Sequence, residues 1–274
     1  MNNETQHPLI LVGCGKMGSA ILSGLLPQIQ SSACIKVVDP VGIPAQTCRD
    51  GIAVFKEAKE LPSNLEPSII IFAVKPQQME KVVPYYLRFV ESGAFFISIA
   101  AGTTIKFFEG ILGSNAPIVR AMPNTPALIQ QAITVACPNS AITDSQLESA
   151  KLLLETIGDV VFISDENLLD PVTAISGSGP AYVFFMIECL TQAGVENGLP
   201  LQLARALALK TVSGAGMLAS ESSETPEQLR QNVTSPGGTT FEALQVLTAN
   251  NNGLKQLISN AVSAATRRSR ELAD

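Results

Sequence analysis

Leu9-Ile10-Leu11-Val12-Gly13-Cys14-Gly15-Lys16-Met17-Gly18 is the stretch on which the fold turns. Four apolar residues in succession read as a strand covered on both faces, since a strand with one wet face alternates apolar and polar positions. The Gly13-x-Gly15-x-x-Gly18 spacing then supplies a tight turn, a close backbone approach to a pyrophosphate and a helix N-terminus to meet its charge. Gly13, Cys14, Gly15, Lys16, Met17 and Gly18 are therefore expected to form a dinucleotide loop. Gly-rich strand-to-helix turns also occur without nucleotides, so the neighbouring sequence has to decide.

The next apolar run, Ile35-Lys36-Val37-Val38, ends in Asp39. A carboxylate about 20 residues beyond the glycines can accept hydrogen bonds from the adenosine ribose hydroxyls. It would also repel a 2′-phosphate, and Pro40-Val41-Gly42-Ile43-Pro44 offers no Arg or Lys to bind one. The expected cofactor is NAD(P)H, with NADH favoured by Asp39. The bland alternative is that Asp39-Pro40 only starts a turn.

Further β-branched and aromatic runs follow at Ile69 to Val74, Phe95 to Ile99 and Ile118 to Arg120, separated by helical stretches. This is a βαβ pattern, and βαβ units build parallel sheets. Runs at Ala132 to Ala136 and Val160 to Ile163, flanking a helix predicted over 143–157, are candidates to extend the same sheet. From Glu166 onward the spacing becomes helical, with segments at 181–193, 201–219, 226–232, 239–249 and 253–272. The expected fold class is α/β, with a dinucleotide-binding domain over 1–165 followed by an all-helical domain over 166–274. Ala181-Tyr182-Val183-Phe184-Phe185-Met186-Ile187 is apolar almost all round, so its helix should be buried on every side, with a second subunit as the natural cover.

Composition narrows the function classes. Of 274 residues 46% are apolar and only 15% charged, more apolar material than one small surface accounts for. A net charge of -6 and no dense basic cluster argue against a nucleic-acid partner. Cys14, Cys34, Cys48, Cys137 and Cys189 show no ligand-like spacing, so neither a metal nor a disulfide framework is expected, and a reducing cytoplasm is. Met1 to His7 is polar, and the apolar runs are too short to span a membrane.

The only histidine is His7. A hydroxy-acid dehydrogenase usually needs a group of suitable pKa to move the alcohol proton, histidine being the commonest choice. An imine differs: its nitrogen can already be protonated near neutral pH, and the protein has mainly to orient the partners. Lys210, in an apolar helical stretch, is the rival acid or base, although such lysines more often snorkel to solvent. Thr234-Ser235-Pro236-Gly237-Gly238-Thr239-Thr240 precedes a helical pattern and reads either as an anion nest suited to a carboxylate or as an ordinary cap. Ser176-Gly177-Ser178-Gly179-Pro180 carries the same two readings. Ala73-Val74-Lys75-Pro76 and Ala121-Met122-Pro123-Asn124-Thr125-Pro126 follow predicted strands, at the edge where open α/β sheets bind ligands.

Together these residues resemble pyrroline-5-carboxylate reductase from Pro8 to about Leu272, most tellingly in Leu229 to Leu244, with support from Arg120 to Pro126 and Ser176 to Tyr182. The resemblance implies a Rossmann-type first domain, a C-terminal dimerisation domain interlocking with its twin, and reduction of a cyclic imino acid by NAD(P)H. It further implies that Thr240 bonds the ring nitrogen, that Ser235 and the amides of Gly238, Thr239 and Thr240 hold the substrate carboxylate, and that Lys75, Pro76 and Asn124 line the cofactor cleft, beside Ala73 and Val74, which their place after a strand already makes candidates for cofactor contact. Two positions depart from the family pattern. Asp39-Pro40 stands where many relatives carry an Asn-Arg-Ser-like segment, and Ala58 where some place an adenine-contacting asparagine. A β-hydroxyacid dehydrogenase using Lys210, and a dinucleotide-binding dimer without turnover, are the alternatives.

Overall fold

The computed structural model describes residues 8–29, 31–47, 49 and 51–272. His7 and Cys48 lie outside the described residues. By contact the chain falls into two compact units, one comprising residues up to Gly177 together with those from Ala265 onward, the other Ser178–Ala264. This division lies beyond the boundary expected at 165/166, because Glu166 is ion-paired to Arg120 and Leu169 is fully buried in the first unit's core.

The first unit is built on one eight-stranded sheet in the order β3-β2-β1-β4-β5-β6-β7-β8. Its strands are β1 (Leu9–Val12), β2 (Ile35–Val38), β3 (Ala53–Phe55), β4 (Ile69–Phe72), β5 (Phe95–Ser98), β6 (Ile118–Met122), β7 (Ala132–Pro138) and β8 (Gly158–Phe162). Each neighbouring pair is parallel except β6 and β7, where Arg120 faces Cys137 across an antiparallel ladder. The parallel pattern breaks there for lack of chain. Only a short 3-10 turn at Thr125–Ile129 and a left-handed Gln130 (φ 59°) join the two strands, whereas a parallel crossover needs a dozen or more residues. The runs at 132–136 and 160–163 do extend the sheet. β3 was not anticipated, its three residues being too few for a periodic signal.

Side chains alternate across the strands and feed two separate cores. Ile10, Val12, Ile70, Phe72 and Phe96 enter one face, where Phe72 meets the edge of Tyr86 at 5.3 Å and stacks on Phe108 at 5.7 Å. Leu11, Ile35, Val37, Ile71 and Ile97 enter the other. There they meet Ile21, Leu22 and Leu25 of α1 (Lys16–Leu25) and Ala150, Leu153 and Leu154 of α4 (Asp144–Leu154). Each fully buried aliphatic or aromatic side chain contributes about 1.5–3 kcal/mol. The burial of both faces is why the strands read as unbroken apolar runs. The helices α2 (Pro76–Val82) and α3 (Ile105–Leu112) serve the first core through Met79, Phe108 and Leu112. A one-turn helix, α5 (Leu169–Val172), runs on into a π-helical turn at Thr173–Gly177, where this part of the chain ends.

The second unit is helical: α6 (Gly179–Glu196), α7 (Leu201–Glu221), α8 (Pro226–Asn232), α9 (Thr239–Leu247) and the greater part of α10 (Leu254–Glu271). Gly198, at φ +91°, ends the turn after α6. Gly194 lets the two helices approach, since a Cβ there would lie 3.0 Å from that of Ala204. The expectation that α6 is buried on every side is not met within one chain: Phe184 is 59% and Phe185 65% exposed, and no residue of α6 is buried. The same holds for Met217 and Leu218 on α7. Among the described residues no helix is long and apolar enough to cross a membrane, and no cluster of side chains fit to hold a metal is found.

Candidate cofactor and substrate site

The Gly-rich loop is held by contacts that only glycine permits. Gly13 sits at φ +92° and donates its N–H to Val38 at 2.8 Å. A Cβ there would lie 2.8 Å from the Ala73 carbonyl, and one on Gly18 would overlap the Gly13 carbonyl oxygen. Around Gly15 nothing lies within 4 Å of a built Cβ, so the backbone is open to a ligand at that point. The first turn of α1 has no side-chain cap and no acidic residue. The amides at its start therefore lack intrahelical acceptors and present the positive end of the helix dipole. This is a fitting receptor for a dinucleotide pyrophosphate. Cys14 is buried beside it, its thiol pushed up to about 11 by burial and then by the Asp39 charge, so it packs as a neutral group and is no nucleophile at pH 7.

Asp39 follows β2 and is bound into the same loop. Its Oδ2 accepts from the Cys14 amide at 2.7 Å, and its Oδ1 from the amides of Val41 and Gly42 at 2.8 and 3.2 Å. A carboxylate offers roughly four acceptor sites. Three are taken, and one on Oδ2 remains open.

Beyond Asp39 opens a cleft of about 530 Å³, walled by Val12, Val38, Val74 and Ala58 and rimmed by Lys56, Glu57, Lys59 and Lys81. Tyr86 forms part of its floor, fully buried with a hydroxyl that has no partner. Ala73 and Val74 pack on the glycine loop, the Ala73 amide donating to Val12 at 2.7 Å. Lys75 is exposed at the start of α2, with Pro76 opening that helix. Asn124 is buried at the end of β6, its Oδ1 accepting from the Ile133 amide at 3.2 Å.

In the second unit, Gly237 turns the chain at φ +69° into α9. That helix starts at Thr239, with Gly238 as its N-cap and no side chain capping it. A Cβ on Gly238 would lie 2.5 Å from Ser235 Oγ, so glycine is required for the serine to sit beside the helix start. Ser235 is exposed and Thr240 half-buried. The Gly238 amide is spent on the Ser235 carbonyl at 3.0 Å, which leaves the uncapped amides of Thr239 and Thr240, with two hydroxyls beside them, an arrangement able to accept a small anion.

A family model described as pyrroline-5-carboxylate reductase dimerisation matches residues 166–272, and one described as NADP oxidoreductase, coenzyme F420-dependent, matches 9–102. The pyrroline-5-carboxylate reductase of Synechocystis sp. is 39% identical over 96% of this chain and 97% of its own. That of Pseudomonas aeruginosa is 35% identical over 97% of each. The chain belongs to the pyrroline-5-carboxylate reductase family. Two solved structures agree. The Coxiella burnetii pyrroline-5-carboxylate reductase superposes with a TM-score of 0.87 at 32% identity, over 98% of this chain and 100% of that one. The Plasmodium falciparum pyrroline carboxylate reductase with NADP bound gives 0.84 at 32% identity, over 97% and 98%.

Within this pyrroline-5-carboxylate reductase fold, Gly13 to Gly18, Asp39, Ala73 and Val74 gather at the carboxyl edge of β1, β2 and β4. Ser235, Gly238, Thr239 and Thr240 gather at the start of α9. Ser178 does not cap α6, and Ser176 instead donates to the Val172 carbonyl at 3.0 Å, so the 176–180 segment shows no anion nest. Lys210 is exposed on α7, as the snorkelling reading has it. Sequence reasoning missed Lys56, Lys81 and Tyr85 as cleft residues. The signal for Lys56 would have been β3: once that strand is placed beside β2, the residue after Phe55 falls next to Asp39.

Proposed function

We propose that this chain reduces 1-pyrroline-5-carboxylate to L-proline with NAD(P)H, the last step of proline biosynthesis, and that NADH is the faster cofactor. The observation that carries this reading is the second uncapped helix N-terminus, at Thr239 and Thr240, with no side chain capping it and the Ser235 and Thr240 hydroxyls nearby. A cofactor sensor without turnover has no use for a second anion receptor.

The bound nicotinamide supplies the hydride. The chain's own part is to hold and orient. The amides opening α1 take the pyrophosphate, and Asp39 takes a ribose hydroxyl on its remaining acceptor site. Ser235 and the amides of Thr239 and Thr240 take the substrate carboxylate, while the Gly238 amide closes the turn on the Ser235 carbonyl. Thr240 Oγ1 bonds the ring nitrogen, which enters protonated. The ring carbon is then electrophilic, and hydride addition yields the amine without a separate general acid. No histidine is needed among these roles. Lys75, Pro76 and Asn124 complete the cofactor side.

The reaction is tested by following loss of nicotinamide absorbance on mixing protein with pyrroline-5-carboxylate, using NADH and NADPH side by side. Consumption with NADH ahead is expected. No consumption with either cofactor overturns the reading, and a lead for NADPH removes the role given to Asp39.

Thr240→Ala is expected to lower kcat by roughly 10- to 100-fold, the loss of one hydrogen bond to a charged group. Cofactor affinity should stay unchanged, and Thr240→Ser should recover most of the rate. An unchanged kcat in the alanine variant would take Thr240 out of the reaction.

The same reading makes the working form a homodimer, the exposed faces of α6 and α7 being covered by a second copy. Dilution that separates the chains should then abolish turnover, with activity and sedimentation coefficient falling together. A fully active monomer would refute it.

A further inference from the structure

Asp39 does not set the charge of its cleft alone. Three lysines, Lys56, Lys59 and Lys81, line the cleft against two carboxylates, Asp39 and Glu57, so its rim is positive in a chain whose net charge is -6. Lys59 is already paired with Glu57 at 2.5 Å. Neither Lys56 nor Lys81 belongs to any ion pair found among the described residues.

Their placement follows from the backbone. Asp39 donates its amide to the Phe55 carbonyl at 2.9 Å, which puts Lys56, the first residue past the end of β3, next to Asp39. The Lys56 amide is tied to Glu60 Oε2 at 2.8 Å, which fixes the turn after β3. Lys81 belongs to α2 and lines the same cleft. The Asp39 carboxylate, meanwhile, is turned into the glycine loop, where three amide dipoles offset its charge. A ribose 2′-hydroxyl needs an acceptor and finds one on Asp39. A 2′-phosphate is an acceptor with roughly two negative charges and needs donors.

We infer that Lys56 and Lys81 are the specificity residues that receive a 2′-phosphorylated adenosine, so that the cleft takes NADPH as well as NADH and the two lysines oppose Asp39 in setting the ratio. The inference rests on the dinucleotide reading of the glycine loop. It assigns to residues outside the loop after β2 the work that Arg or Lys within that loop would otherwise do.

The test separates binding from turnover by using nucleotide fragments. Affinities for AMP and for adenosine 2′,5′-bisphosphate are measured by calorimetry on the wild type, Lys56→Gln/Lys81→Gln and Lys59→Gln. The double variant is expected to lose about tenfold or more in bisphosphate affinity, with AMP affinity within twofold, which also shows the site intact. KM for NADPH should rise in parallel, while kcat holds. The wild-type preference for the bisphosphate should shrink as salt is added.

Equal losses for both nucleotides, a bisphosphate loss under twofold, a comparable loss in Lys59→Gln, or a wild type that binds AMP but excludes the bisphosphate would each overturn the assignment. The two readings fail separately. A wild type faster with NADPH removes the lead given to Asp39 and leaves the lysine pair standing. Bisphosphate binding indifferent to both lysines removes the pair and leaves the NADH lead untouched.

Discussion

Replacing Gly18 with alanine is expected to abolish cofactor binding, with Kd for either dinucleotide rising at least about 100-fold, roughly 3 kcal/mol. The added methyl would overlap the Gly13 carbonyl oxygen and lie 3.1 Å from the Gly13 carbonyl carbon and 3.4 Å from Ala73 Cβ. Two of these are backbone atoms, and Gly13 cannot give way. It is held at φ +92° by a 2.8 Å hydrogen bond to Val38, and the Ala73 carbonyl lies on its other side. The start of α1 must therefore swing away, carrying its amides out of register with the pyrophosphate. Gly15→Ala makes the instructive companion, because its methyl meets nothing within 4 Å. That variant should unfold at the parent temperature and still bind cofactor poorly, the methyl occupying the space the phosphates need. Calorimetric titration and thermal unfolding of the pair decide the matter. A Gly18→Ala protein with parental affinity would show that α1 does not hold the cofactor.

The second large effect concerns stability. Arg120 on β6 is 4% exposed and reaches Glu166 at 2.7 Å, and the same Glu166 oxygen accepts the Ile105 amide, at the start of α3, at 2.8 Å. This carboxylate joins the sheet to the helix start and to the segment leading out of β8. Glu166→Ala leaves a buried guanidinium without a counter-charge and is expected to cost about 3 kcal/mol or more. Arg120→Met leaves only a carboxylate that is 26% exposed, and the loss should be smaller, about 2 kcal/mol after allowance for solvent screening. At roughly 2–4 °C per kcal/mol, the two variants should unfold about 10 °C and about 5 °C below the parent. The double variant should unfold above Glu166→Ala alone, because no charge is then stranded. If the double variant is instead the least stable, the pair contributes more than its desolvation costs.

The parts legible in the sequence are those where one physical demand dominates several adjacent residues. Strands buried on both faces announce themselves as Leu9 to Val12 and Ile69 to Phe72, and the glycine spacing announces a turn and a helix start because a Cβ at Gly13 or Gly18 has nowhere to go. The parts that escaped depend on which elements become neighbours. β3 is too short to show a period, yet it brings Lys56 to Asp39. The direction of β7 is decided by the length of the Thr125–Ile129 turn rather than by its own apolar pattern. Asp39 was legible as a carboxylate closing β2 beside the glycine loop, but its capture by the amides of Cys14, Val41 and Gly42 was not, since backbone donors leave no mark on residue type. The all-round apolar α6 was legible as a helix in want of cover, and one chain does not supply that cover.

The last turns of α10 belong to the first unit, not to the helical one from which they issue. Ser269 is buried and donates to Asp170 at 2.7 Å across a separation of 99 residues, and Leu272 lies against Gly102, where a Cβ would come within 3.1 Å of it. During synthesis, then, the eight strands leave the ribosome with one seat on their surface still empty. The segment that fills it is translated only after every helix of the second unit has been made. Closing so long a loop is entropically slow, so the chain's first-made domain is also the last to be finished.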